Sequence, residues 1–150
     1  MKWFSVVAMI LVLATIALGV VFAAGKASYF VDYASALMVV LPALMLSLAT
    51  FPPATIARSF AVAFDRRTST DAELRTAAAF FRALQAYLLL SGLIGALIGV
   101  MTILAGLRAD TNVAGGAALL LVTVFYSLVL ILVVALPFRA SVERRLAEKS

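Results

Sequence analysis

The side chains in this sequence that can do chemistry are few, and within its apolar stretches they are hydroxyls. The chain has no His and no Cys. That removes imidazole bases, thiolate nucleophiles and disulfides, together with the N and S ligands on which zinc and haem sites depend. Asp65, Asp71, Glu73, Glu143 and Glu148 fall in charged, polar segments, and no pattern pairs one of them with a nucleophile. The expectation is a protein that is not an enzyme, with no catalytic residues, metal or cofactor. What remains inside the apolar stretches is Ser47, Thr50, Ser91, Thr102, Thr123 and Ser127. Hydroxyls wet a channel wall or bond one helix to another, but they do not cycle a proton near neutral pH. Thr123 and Ser127, four residues apart, share one helix face. Packing is one reading of that pair and pore lining is the other. An ion path built on such residues needs a titrating carboxylate from another chain.

The elements that position these hydroxyls are membrane spans. The 150 residues are 65% hydrophobic and 13% charged, with uncharged runs at 3–25, 33–57, 83–107 and 111–138. About 20 helical residues cover the hydrocarbon core, and a helix satisfies its own backbone there. The expected fold is an all-α integral membrane protein with four transmembrane helices, spanning about 3–23, 33–53, 83–107 and 113–137. A segment at 54–82 and a tail at 139–150 lie on one side, all within a single membrane domain. The first run follows Lys2 like a secretory leader but is longer than the 7–15 apolar residues of one, and it reads as a span. Of the 12 basic residues, only Lys26 and Arg108 fall on the outer side of this scheme. Such a positive-inside bias puts both termini in the cytoplasm. The net charge of +5 is thereby a topology signal and not a footprint for nucleic acid.

Local signals refine the scheme. Trp3 and Phe4 suit a membrane interface. Asp32, at the start of the second span, is expected to cap its free N–H groups, with an ion-binding or gating role as the alternative. Pro42 predicts a kink, and Pro52-Pro53 a sharp redirection. Ile56, Phe60 and Phe64 predict a short amphipathic helix lying on the interface. Asp65 to Ser69 reads as a polar turn. Thr70-Asp71-Ala72-Glu73 fits a capping box that starts the third long helix. Residues 71–107 then make one continuous helix of about 55 Å, longer than the bilayer core, so its first part projects into the cytoplasm. Residues 108–112 are a short loop, which makes the third and fourth spans an antiparallel hairpin. Pro137 is expected to break the cytoplasmic end of the fourth span.

Residues 91–99 read Ser-Gly-Leu-Ile-Gly-Ala-Leu-Ile-Gly. On a helix, Ser91, Gly95 and Gly99 line one nearly bare face, flanked by Gly92 and Ala96, where another backbone can approach closely. Gly115 and Gly116 offer a similar small surface at the start of the fourth span.

Together these stretches resemble the MotA/TolQ/ExbB proton-channel family, and within it the MotA branch of flagellar stator subunits most closely. Gly92-Leu93-Ile94-Gly95-Ala96-Leu97-Ile98-Gly99 is similar to the family's G-L-I-G-T-L-I-G. Phe30-Val31-Asp32 through Thr50-Phe51-Pro52 is similar to its second-span pattern, and Tyr126, Leu136 and Pro137 fall in register with its fourth. The resemblance implies a homopentameric ring in a bacterial inner membrane, with the third and fourth helices around a pore. There, two single-span partner helices of the MotB/TolR/ExbD type supply an ion-carrying Asp, and ion flow drives rotation. It makes Thr123, Ser127, Ala96, Thr102 and Ser91 the candidate ion-path residues, and the glycines the close-packing wall. Three positions depart from the pattern. Ala96 and Val124 replace family threonines, and Leu89 replaces a proline. The large cytoplasmic domain of the MotA branch is reduced to residues 54–71. A ring subunit of an ion-driven motor is therefore expected, with a non-conducting membrane scaffold as the alternative.

Overall fold

The computed structural model describes residues 2–24, 31–64, 69–109 and 113–148. Residues 25–30, 65–68 and 110–112, which hold most of the expected turn at 65–69 and loop at 108–112, lie outside the described residues, as do the side chains of Trp3 and Phe4; α4 runs two residues into that loop, to Ala109. The elements are α1 (Lys2–Ala24), α2 (Tyr33–Thr50), α3 (Pro53–Phe64), α4 (Asp71–Ala109), α5 (Val113–Leu130), a π-helical turn (Ile131–Ala135) and α6 (Leu136–Ala147). Among the described residues, three stretches are long and apolar enough to cross a membrane: α2, α4 as far as Gly106, and the rod Val113–Ala147. In α1 the described apolar part, Ile10–Phe22, is shorter. The chain divides into two compact units, Met1–Tyr33, which contains α1, and Ala34–Ser150, which contains the rest.

In the second unit, α2 keeps its helix through Pro42 and ends at Thr50. The chain turns at Phe51, whose N–H still reaches the Ser47 carbonyl at 2.9 Å. Pro53 then opens α3 at a first-turn position, where a missing N–H costs nothing, while the Pro52 carbonyl accepts from Thr55 and Ile56. The capping box forms. The Glu73 carboxylate accepts from the Thr70 N–H at 2.9 Å, and the Thr70 hydroxyl accepts from the Glu73 N–H at 3.3 Å. From it α4 runs 39 residues without interruption, about 58 Å of rod against a hydrocarbon core of about 30 Å.

The helix after α5 departs from expectation at Pro137, which does not break it. The missing N–H and the ring's clash with the preceding turn are absorbed one step earlier. Ile131–Ala135 widens to a π turn, in which Leu136 N–H reaches back five residues to the Ile131 carbonyl. Pro137 then sits in the first turn of α6, where it is tolerated, and the rod continues to Ala147.

Outside the apolar spans, α3, the first turns of α4 and α6 form a small cap with its own core. Phe80, Phe81, Leu74 and Val142 are fully buried, with Phe51, Ile56, Phe60 and Phe138 packed against them. Phe60 meets Phe80, Phe81 and Phe138 edge-on at centroid distances of 5.3 to 5.7 Å, the arrangement that ring quadrupoles favour. This corrects the expected role of α3. Its Ile56 and Phe60 stripe does not lie against lipid but faces α4 and α6, beside the buried Ser59, Val62 and Ala63. Phe64 alone of that stripe stays largely open, at 66% exposure.

Arg145 closes the cap. The residue is nine-tenths buried, and its guanidinium donates to the Val62 carbonyl in the last turn of α3 and to Ser69 Oγ at 3.0 Å. A cation at a helix C-terminus satisfies free carbonyls and complements the dipole. The ion pair that forms at four-residue spacing in α6 is Arg139–Glu143, at 2.9 Å.

Candidate functional site

The expected site residues gather along the seam between α4 and α5. Along this part of α4 the buried positions are Leu88, Ser91, Gly92, Gly95, Gly99 and Gly106, which fall on one helix face. The bare face expected at Ser91, Gly95 and Gly99 is taken up by α5 of the same chain. A Cβ built on Gly92 would strike Ser127, and one on Gly95 would strike the Thr123 methyl, both inside 3.0 Å. One on Gly99 would meet the Leu120 backbone nitrogen at 2.8 Å, and one on Gly116 the Ile103 nitrogen at 2.9 Å. These four glycines let two helices approach to backbone contact, and hydroxyl-bearing side chains fill the space they leave.

Thr123 is fully buried and Ser127 nearly so. The Thr123 hydroxyl is shared between Ser35 Oγ on α2, at 3.2 Å, and the Leu119 carbonyl of its own helix. The Ser127 hydroxyl donates across the seam to the Leu88 carbonyl at 2.8 Å. Both hydroxyls are thus ties inside one subunit, and assembly with further chains can only cover them more. Ser35 lies in the second-span stretch that carries the family resemblance, but it is not among the hydroxyls expected at the site. A serine opening an apolar helix is unremarkable by itself, and nothing local links it to a threonine 88 positions away.

The other expected positions are dispersed. Thr102 faces outward and bonds back to the Ile98 carbonyl at 2.9 Å. Ala96 is half-buried, and Gly115 is exposed beside the buried Gly116. Asp32 precedes α2 and is half-buried. Pro137 lies beyond the π turn, removed in sequence from the hydroxyls. At the other end of α2, Thr50 donates to the Leu46 carbonyl at 2.7 Å, so its 2.8 Å contact with Tyr87 takes the tyrosine as donor. That bond ties α2 to α4 where the apolar stretch ends. No group of His, Cys, Asp or Glu able to hold a metal occurs among the described residues.

The arrangement does one thing chemically. It builds a wall of three helices, α2 set against an α4–α5 hairpin, with the seam hydroxyls bonded internally and its leucines outward. Leu89, Leu93, Leu97 and Met101 on α4, and Leu121 and Leu128 on α5, are all exposed in the single chain. Residues 50–150, more than half of the chain, match the MotA/TolQ/ExbB proton channel family. The chain belongs to that family. The match takes in α3, the α4–α5 hairpin, the π turn and α6, so every glycine of the seam lies within the MotA/TolQ/ExbB region. Searches of curated proteins and of solved structures each found no match. Membership makes this an ion-channel-like membrane subunit of a channel and transducer family, not of an enzyme family.

Proposed function

We propose that this chain is the ring subunit of an ion-driven membrane motor or energy-transducing complex, closest in kind to the MotA branch. In this reading it is one membrane domain in which α1 supplies a fourth span, both termini face the cytoplasm, and five copies form a ring in a bacterial inner membrane. A single-span partner of the MotB/TolR/ExbD type enters the ring and brings the ion-carrying Asp, because no carboxylate lies in the apolar part of α2, α4 or α5. The observation that carries this is the family match across the glycine-packed hairpin. Ala96 and Thr102 have surface left to offer a pore. Asp32, just before α2, is assigned a capping role.

The competing reading is a non-conducting scaffold of the same fold. The burial of Thr123 and Ser127 favours it, since those hydroxyls are spent inside the subunit. Two measurements separate the readings. Native mass spectrometry of the full chain gives the copy number, and a monomer or dimer at membrane concentrations sinks the ring. Proton or sodium flux in liposomes, with the co-expressed single-span partner present, supports the motor; a stable ring without flux supports the scaffold.

A further inference from the structure

Arg82 on α4 and Arg139 on α6 both donate to the same oxygen of Glu143, at 3.1 and 2.9 Å, and Arg139 also donates to Gln85 Oε1 at 2.9 Å. Two cations against one carboxylate leave one positive charge over. That charge is hydrated in the single chain, where the Arg82 side chain is 67% exposed.

Helical phase gives the side of the subunit on which it stands. Glu73, which pairs with Arg58 of α3, comes nine residues before Arg82 and so lies on the opposite side of α4. Tyr87, which bonds Thr50 of α2, comes five residues after it, about 140° round the helix. The positions 7, 14 and 18 residues on return to within about 40° of Arg82. They are Leu89 and Val100, both exposed, and the half-buried Ala96. This is the strip of α4 turned away from α2 and α3. In a ring with α4 and α5 around a pore, it is available as pore wall, and Arg82 ends it on the cytoplasmic side.

A contact between copies is the other place for such a strip, and the charge argues against it. A cation buried at a contact needs a carboxylate at its own level. Among the described residues of the cap none is placed to serve. Glu73 is taken by Arg58. Asp71 stands eleven residues before Arg82, about 16 Å further from the membrane. Glu148 stands five residues beyond Glu143, about 7 Å further out. Water in an open mouth solvates the surplus charge without that cost.

We propose that Arg82 and Arg139 form a positive collar at the cytoplasmic mouth of the pore, which keeps cations from re-entering it. The inference rests on the ring proposed above. Each copy adds one surplus charge, and like charges gathered round an opening sum into a field that depletes cations there. Ions arriving from the outer side are released into the cytoplasm, while entry from the cytoplasm is slowed. The collar favours one direction of flow in a motor and holds the opening tight to cations in a scaffold.

The chain has no Cys, so a single Ala86→Cys, one turn nearer the membrane than Arg82, reports the potential at the mouth. The full-length protein in nanodiscs is treated with an anionic and a cationic methanethiosulfonate, sulfonatoethyl and trimethylammonioethyl. Their rate ratio is read against that of a small free thiol. At low salt the anionic reagent is expected to be favoured several-fold over the free-thiol ratio. Arg82→Gln with Arg139→Gln should remove the preference. Arg58→Gln, the same loss of charge on the opposite side of α4, should leave it. If the double variant fails to fold, salt decides: near 1 M the screening length is about 3 Å, and the preference should vanish with the arginines in place. A ratio equal to the free thiol's at low salt overturns the collar, as does an equal loss in Arg58→Gln or a preference that persists in high salt. Protection of the cysteine from both reagents means that a second copy covers the face, and overturns it too. Native mass spectrometry of the same sample tells the two failures apart. A ring without the preference removes the collar alone, and a monomer or dimer removes the ring as well.

Discussion

Gly95 and Thr123 meet face to face across the α4–α5 seam, the threonine methyl occupying the space where any other residue at 95 would carry its Cβ. The glycine is required by a close approach and not by backbone conformation. The methyl fills what would otherwise be a void, while the hydroxyl on the same Cβ turns toward α2 and Ser35. One side chain thereby packs one helix and bonds another.

That relationship predicts a compensating pair. Gly95→Ala overpacks the seam and should cost about 1–3 kcal/mol. Thr123→Ser removes the colliding methyl and keeps the hydroxyl, so the double variant should recover most of the loss. Thermal unfolding in detergent around a double-mutant cycle measures this. Additive losses would mean that Gly95 matters for some contact other than Thr123. Gly99→Ala offers no such rescue, because its neighbours are the Leu120 Cβ and the backbone N and Cα of the same residue, which no side-chain trimming moves away. The bulkier Gly95→Leu should prevent the hairpin from closing.

Thr123→Val keeps the shape of the side chain and deletes its hydroxyl. Interhelical hydrogen bonds in membranes average about 0.6 kcal/mol, so a small stability loss is expected from losing Ser35 as a partner. Any ion flux should stay unchanged, because the hydroxyl is fully buried in the subunit. A large fall in flux with normal assembly would return Thr123 to the ion path.

The hairpin was readable because its cause is local. Glycines and serines at four-residue spacing in an uncharged run declare a close-packed face, and Thr70 with Glu73 declare where α4 begins. Which helix would use that face was not readable. In lipid no polarity distinguishes a same-chain neighbour from a partner, so the glycines served equally well as a ring wall. The α3 stripe failed for a related reason. Ile56 and Phe60 announce an apolar face, but Phe80, Phe81 and Phe138, scattered through later sequence, decide that protein and not lipid covers it. At Pro137 the break rule overlooked the option of widening the preceding turn. The trace left in the sequence is Thr123, Ser127, Ile131 and Ala135, buried at a spacing of four, which an α-helix of 3.6 residues per turn drifts away from.

The start of α4 should be sensitive to acid. Bonds from the Thr70 N–H and from Arg58 hold the Glu73 carboxyl below its ordinary value of 4.5. A lowered folded-state pKa means the stabilisation is complete above that ordinary value and is lost as pH falls through the lowered one. Protection of the first α4 amides, measured against the intrinsic exchange rate at each pH, should fall over that acid window. Glu73→Gln, which still accepts from Thr70 but lacks the charge that pairs with Arg58, should flatten the dependence. An unchanged acid limb in Glu73→Gln would assign it to another group.

Arg145 should be the most costly arginine to replace. It bridges the Val62 carbonyl at the end of α3 and Ser69 before α4, and is nine-tenths buried while doing so. Arg145→Met leaves that carbonyl without this donor, at a cost of about 1–3 kcal/mol. Arg145→Lys keeps the charge but not the planar fork that reaches both acceptors at once, so it should recover only part. The readout is hydrogen exchange across α3 in the full chain. Protection should fall in α3 and the adjoining turns of α4, while the α4–α5 seam around Gly95 keeps its own, because separate contacts hold the cap and the seam. Uniform loss throughout α4 and α5 would instead make cap and hairpin one cooperative unit, with Arg145 holding the whole of it.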